Sequence, residues 1–354
     1  MAAAIAANTA VAAALRDALT HRRRSGSLVL AAALLLIVVG LTSLVVGAYT
    51  IPIGDVIATL AARLTGTEAA SVHATVVWDI RFVRVVLSGT VGAALAVSGA
   101  AFQATFRNPL VEPYVLGVSS GAAFGAGLAV LFALPVSMQV LAMLGGAGAV
   151  GLTFLVSRVR GEQSTIVLVL SGIVVGSFFT AMFSILQYVG SDAQLRRLVF
   201  WVMGGFYSAE WEQLAVVVPL ALAGAVLLSL LGWRLNVRTL GDEECRALGV
   251  SPRPLRTTVV VTATALTAIA VSVSGIIAWV GLLVPHAARF IVGPDNRVLV
   301  PFSALLGAAF LIVCDDLART MHSGELPIGI ITSAIGAPFL ILLLRRRATH
   351  WGSA

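Results

Sequence analysis

The sequence predicts an all-α, polytopic membrane protein of about ten transmembrane helices, and three observations carry that prediction. Of its 354 residues, 59% are hydrophobic and only 11% are charged, and the mean hydropathy of +1.00 lies far outside the range of a soluble globular domain. The long stretches without Asp, Glu or Arg are 25–54, 85–106, 113–157, 163–191, 213–233, 257–288, 298–314 and 326–344. A crossing needs roughly 20 apolar residues. The stretch 113–157, broken by Pro135, therefore holds two crossings, and 257–288, interrupted by Gly275 and Pro285, holds one and most of another. Finally, all 23 basic residues are Arg, and an even number of spans collects all but Arg63, Arg81, Arg84, Arg196, Arg197 and Arg319 on one side. By the excess of positive charge on cytoplasmic loops, that side and both termini are cytoplasmic.

The elements follow in order. Residues 1–27 form an Ala-rich cytoplasmic leader whose charges follow its apolar stretch, the reverse of a secretory signal. Residues 28–345 form the transmembrane domain and 346–354 a cytoplasmic tail. The first span covers about 28–48, and the outer loop behind it carries a short amphipathic helix near 53–64. Spans two to five cover about 82–103, 113–131, 138–157 and 164–188. A second outer loop follows, in which Trp201, Tyr207 and Trp211 read as interfacial anchors. Span six covers about 213–232, spans seven and eight about 257–292, span nine about 299–317 and span ten about 327–344. "AVSGAAFQATFRNP" and "SVSGIIAWVGLLVP" each place Pro ten residues after a Gly, a faint echo of the inverted repeats found in transporters. Small residues crowd spans two and three, as close helix packing or a wide pathway would require.

The sequence carries no enzyme signature. The five histidines form no pair at ligand spacing, Cys245 and Cys314 stand in no metal pattern, and no phosphate-binding G-x-x-x-x-G-K-[ST] motif occurs. This chain therefore binds no metal, cofactor or nucleotide of its own and has no catalytic residue. Intramembrane carboxylates, the usual mark of ion or proton pathways, are nearly absent. Asp315 and Asp316 sit near the outer end of span nine, with Glu325 just beyond.

Two connections have a defined local chemistry. In "RNPLVEPYVLGVSSGAAFGAG", Asn108 can cap through its side-chain oxygen, Pro109 and Pro113 forbid a continuous helix, and Glu112 suits an exposed helix amino terminus. In "TLGDEECRALGVSPRPLR", a short amphipathic helix from Asp242 to Leu248 ends at Gly249 and is then broken by Pro252 and Pro254. An ordinary capped turn and a solvated loop helix would satisfy the same residues. His286, in "VPH", is a structural residue rather than a haem ligand.

Six ordered segments resemble one family: "WDIRFVRVVLSGTVGAALAVSGAAFQ", "RNPLVEPYVLGVSSGAAFGAG", "DAQLRRLVFWVMGGF", "LGDEECRALGV", "SGIIAWVGLLVPHAARFIVGPDNR" and "DDLARTMHSGELPIGIITSAIGAPFLILLL". Together they resemble the FecCD-like permease subunits of type II bacterial ABC importers for ferric siderophores, haem and cobalamin, over about residues 28–345. The resemblance implies a permease homodimer in the inner membrane, two cytoplasmic ATPases that bind ATP and magnesium, a soluble or lipid-anchored binding protein, and no nucleic acid. It implies an inner gate at Asn108, Leu110, Ser164 and Thr165 and ATPase coupling through Gly241, Asp242, Arg246, Leu248 and Gly249. It also implies binding-protein docking through Arg81, Arg84 and Arg319, which would otherwise read as membrane anchors. The cargo would be an iron chelate, haem or cobalamin. A gradient-driven secondary transporter of a small hydrophobic or chelate substrate is the alternative.

Overall fold

The computed structural model describes residues 25–47, 49–67, 71–157, 165–322 and 324–351, and all regular structure among them is helical. Residues 1–24 of the expected leader and Ser164 lie outside the described residues, and residues 25–27 open α1. Seven helices are long and apolar enough to cross a membrane: α1 (Ser25–Val45), α3 (Val72–Phe106), α5 (Met138–Ser157), α6 (from Thr165 to Val189), α8 (Trp211–Leu230), α11 (Pro252–Ser274) and α13 (Asn296–Thr320). Three shorter apolar helices complete the expected ten: α4 (Val118–Phe132), α12 (Val280–Val292) and the apolar part of α14 (Ile328–Trp351).

Four further helices lie at the ends of the bundle. α2 (Ile53–Thr65) is the expected amphipathic helix and stops at Gly66. α7 (Asp192–Met203) occupies the segment expected as loop. α9 (Gly232–Leu240) and α10 (Asp242–Ala247) build the long arginine-rich connection. Below, the end carrying α9 and α10 is called the arginine-rich face, and the end carrying α2 and α7 the opposite face.

α3 is the centre of the bundle. Its apolar window is 78% buried, against 17% for α1, 28% for α6 and 22% for α8, so the last three form an outer shell whose side chains need lipid or another subunit. Apolar side chains gain nothing from leaving lipid for one another, so α3 is held by close backbone packing. Gly99 shows the requirement: a Cβ there would lie 1.8 Å from the carbonyl oxygen of Gly281 on α12. One turn further along, Gln103 Nε2 donates to the Leu282 carbonyl at 3.2 Å.

The two halves of the chain repeat one construction in opposite directions. α3 runs toward the arginine-rich face and ends at Arg107 with φ 52°, and after a link that carries one 3-10 turn at Pro113–Leu116, α4 starts behind Gly117 with φ 82°. α11 runs away from that face and ends at Gly275 with φ 67°, and α12 starts behind Trp279 with φ 76°. The two Ser-Gly pairs of the sequence echo do not occupy equivalent places. Gly99 lies within α3 as a packing contact, whereas Gly275 ends α11. The matching positions are the helix ends and the left-handed residues that start the short helices. Gly117 adopts such a φ at no steric cost, whereas Trp279 needs the surrounding structure to hold it.

Candidate functional site

Both short helices begin inside the bundle. Ser98 Oγ on α3 donates to the carbonyl of Ala263, midway along α11, at 3.0 Å, and its neighbour Gly99 touches Gly281 at the start of α12. α12 therefore begins near mid-height. Gly117 packs against Gly172 and Gly176 in the first half of α6, so α4 also begins well within the bundle. The two links meet there. Trp279 N–H donates to Glu112 Oε1 at 3.0 Å, and the Tyr114 hydroxyl donates to the Ile277 carbonyl at 2.8 Å. Away from water, backbone groups freed by a broken helix need such partners. This corrects the expectation of an exposed Glu112 at the mouth of span three: its carboxylate turns inward and holds the start of α12. It also corrects the expected near-absence of carboxylates within the bundle.

Beside the start of α4 lies a cavity of about 550 Å³ between α4 and α6, lined by Gly117, Ser119, Ser120, Gly176, Ser177, Thr180 and Ser184 among others. Ser177, Thr180 and Ser184 fall at helical spacing on one face of α6. Each donates its hydroxyl proton to the carbonyl four residues earlier in its own helix, at 2.9, 2.8 and 2.9 Å. The stripe thus presents oxygen lone pairs and no charge. Along the same helix Ile173, Val174, Phe178 and Ile185 are more than half exposed.

At the arginine-rich face, Asn108 Oδ1 accepts the Leu110 N–H at 3.0 Å, so Asn108 caps the turn after α3 as the sequence predicts. Both residues are exposed. Of the other two gate candidates, Ser164 lies outside the described residues, and Thr165 opens α6. The five coupling candidates do come together. α10 follows Gly241 and ends with Leu248 as its carboxy-terminal cap and Gly249 at φ 74°. Cys245 and Val250 are buried beneath it, while Asp242, Arg246, Leu248 and Gly249 face outward. Asp242 pairs with Arg238 of α9. A cavity of about 370 Å³ adjoins this surface, walled by Trp233, Leu248, Gly249, Pro254 and Leu255 among others. Asp295 holds α9 to the bundle, accepting from Asn236 Nδ2 at 2.6 Å and from the Arg297 N–H at 3.0 Å. The hydrogen bond from the Arg297 guanidinium, before any other cause, holds the Asp295 carboxyl down at about 2.

At the opposite face the structure brings Arg81, Arg84 and Arg319 together but turns them inward, with exposures of 3, 6 and 6%. Arg81 Nη1 donates to the carbonyls of Leu44 and Val45, each at 2.7 Å, satisfying the open end of α1. Arg84 Nε lies 2.9 Å from both Asp315 oxygens, and its Nη1 meets Glu325 at 2.9 Å. Arg319 pairs with Asp316 and Asp315 and donates to Ser43 Oγ at 2.9 Å. Arg84 and Arg319 thus close one network with three carboxylates while Arg81 is tied to backbone carbonyls beside it, and display of the arginines at the outer rim, expected from the sequence, is corrected. His286 is buried with its ring edge-on to Phe290, and no three His, Cys, Asp or Glu converge as metal ligands among the described residues.

Eight apolar helices around two half-helices that enter from opposite sides, with a charge-free hydroxyl stripe beside one of them, define a polytopic membrane transport protein. The FecCD transport family matches over residues 35–346. The chain is 38% identical over 314 residues to the molybdate import system permease protein of Haemophilus influenzae, covering 88% of this chain and 93% of the other. It is 40% identical to the cobalamin import system permease protein of Halobacterium salinarum, covering 77% and 74%. A metal-chelate type ABC transporter solved in an inward-facing conformation superposes with a TM-score of 0.81 at 35% identity, over 91% of this chain and 99% of that one. The chain belongs to the FecCD transport family and is a permease of the ABC importer type.

Proposed function

We propose that two copies of this chain enclose one pathway that carries an iron chelate or cobalamin inward across the cell membrane, driven by two cytoplasmic ATPases and loaded by a soluble or lipid-anchored binding protein. The observation that carries this reading is the exposed face of α6. Its stripe of Ser177, Thr180 and Ser184 opens onto the α4 cavity, flanked by apolar side chains that one chain leaves uncovered. A second copy facing it would turn a groove into a conduit. A lining of small groups whose hydroxyl protons are already used internally suits a bulky cargo that must not bind tightly in transit.

The arginine-rich face would be cytoplasmic, with α10 and the groove beside Leu248 receiving the ATPase, and Asn108, Leu110, Ser164 and Thr165 near the inner gate. The binding protein would dock at the opposite face. There Arg84 would meet a partner carboxylate by exchanging Glu325, which is 33% exposed, while Arg81 and Arg319 keep the end of α1 in place. In proteoliposomes holding permease, cognate ATPase and binding protein, uptake of the loaded chelate is expected to require ATP and to persist when ionophores collapse ion gradients. Uptake that follows a proton gradient without ATP would establish the secondary-transporter reading instead.

A further inference from the structure

At the opposite face, α7 lies across the ends of α4, α11 and α14. Gln194 donates to the Val130 and Leu131 carbonyls at 3.2 and 3.1 Å, Gly205 N–H to the Ser274 carbonyl at 2.8 Å, and Ile328 N–H to the Gly204 carbonyl at 3.0 Å. Between α7 and the end of α11 is a cavity of about 580 Å³, whose walls include Arg196, Arg197, Phe200, Trp201 and Tyr207. It adjoins an apolar groove of about 310 Å³ between α5, α8 and α11, with Gln139, Ser272 and Val273 lining both. Val140, Met143, Val216 and Leu220 wall the groove, and Glu210 and Glu212 stand at its head. Leu220 lies nine residues into α8, so the groove reaches about 13 Å from the helix start.

These four charges have no ion-pair partner among the described residues, unlike the closed network around Arg84. Two cations flank the first cavity and two anions the second, at the end of the bundle where lipid headgroups and the aromatic side chains that favour them reside. We propose that the joined cavities hold one zwitterionic aminophospholipid. Its phosphate sits on Arg196 and Arg197, its ammonium group faces Glu210 and Glu212, and one acyl chain lies along Met143, Val216 and Leu220. An anionic lipid would satisfy the arginines but face the glutamates with nothing to offer. A choline headgroup carries the right charges but no N–H to donate. The lipid would fix α7 against α11 through four charges that have no ion-pair partner among the described residues.

The test is native mass spectrometry of the full chain in detergent, titrated with phosphatidylethanolamine, phosphatidylglycerol or phosphatidylcholine. One phosphatidylethanolamine is expected to be retained saturably, roughly tenfold more tightly than either of the others, the size of one charge-assisted hydrogen bond. Arg196→Gln with Arg197→Gln should weaken it by at least that factor. Glu210→Gln with Glu212→Gln should remove the preference over phosphatidylglycerol. Leu220→Trp, which fills the groove and touches no charge, should weaken all three lipids. Inorganic phosphate should not compete. Equal retention of the three lipids, retention unchanged by the double Arg variant, or displacement by inorganic phosphate would each overturn the proposal.

Discussion

The Glu112 carboxylate accepts the Trp279 N–H across 167 positions of sequence and joins the link before α4 to the link before α12. Removing it leaves a backbone donor unpaired where water is scarce, at a cost of about 1–3 kcal/mol. Glu112→Ala is therefore expected to lower the thermal unfolding temperature in detergent, whereas Glu112→Gln, which keeps an acceptor oxygen, should recover at least half of the loss. Equal losses in the two variants would mean that the contact is incidental. Gly99 makes a second residue-level case, since a Cβ 1.8 Å from the Gly281 oxygen cannot be accommodated by a side-chain shift. Gly99→Val should abolish the folded, detergent-extractable protein. The close approach is invisible in the sequence, where Gly99 is one of 34 glycines.

Helices divide into those the sequence announces and those that partners define. The long spans are legible because a charge-free stretch of sufficient length has few other uses, and α10 is legible because Gly249 and Pro252 mark its end. α7 is not, because Asp192, Arg196 and Arg197 interrupt its apolar pattern and leave an amphipathic helix that reads as loop. The starts of α4 and α12 are equally hidden. Pro113 is compatible with a helix beginning there, and Trp279 takes its left-handed φ only within the packed structure. The arginines at the opposite face were legible as a group, but their pairing with Asp315 and Asp316 depends on tertiary proximity, so the sequence suggested exposure.

Two predictions belong to this scale. Leu248, 52% exposed on the outward side of α10, is expected on replacement by Asp to leave membrane insertion unchanged and to reduce co-purification of the ATPase. Full co-purification would remove α10 from the coupling surface. At the start of α13, the depressed Asp295 carboxyl stabilises the fold above its ordinary value of about 4, and that contribution is lost as pH falls from there toward about 2. Protection of the α9 amides from exchange, taken relative to their intrinsic rate at each pH, should fall over that window, and Asp295→Asn should flatten the dependence. An unchanged pH profile in the variant would show that α9 is held by other contacts.

For the whole molecule, the buried centre at α3 and the exposed shell at α1, α6 and α8 follow from packing without a hydrophobic driving force inside the membrane. Small residues draw α3 into close contact, and the shell helices leave large side chains such as Leu34, Ile173 and Leu222 exposed. The relatives span permeases named for molybdate and for cobalamin, cargoes that differ greatly in size. A lining without charge or fixed donors is compatible with such breadth, because selection can reside in the soluble binding protein while the permease supplies a conduit. On the proposed reading that conduit forms where two α6 faces meet. The most direct test replaces Ser177 by Cys in a chain whose buried Cys245 and Cys314 are changed to Ala, and treats reconstituted transporter with bifunctional thiol reagents of increasing length. The account predicts a cross-linked homodimer and loss of ATP-driven uptake, both reversed when a cleavable linker is cut. Failure to cross-link at any length, or full uptake through the cross-linked dimer, would contradict a pathway between two copies of α6.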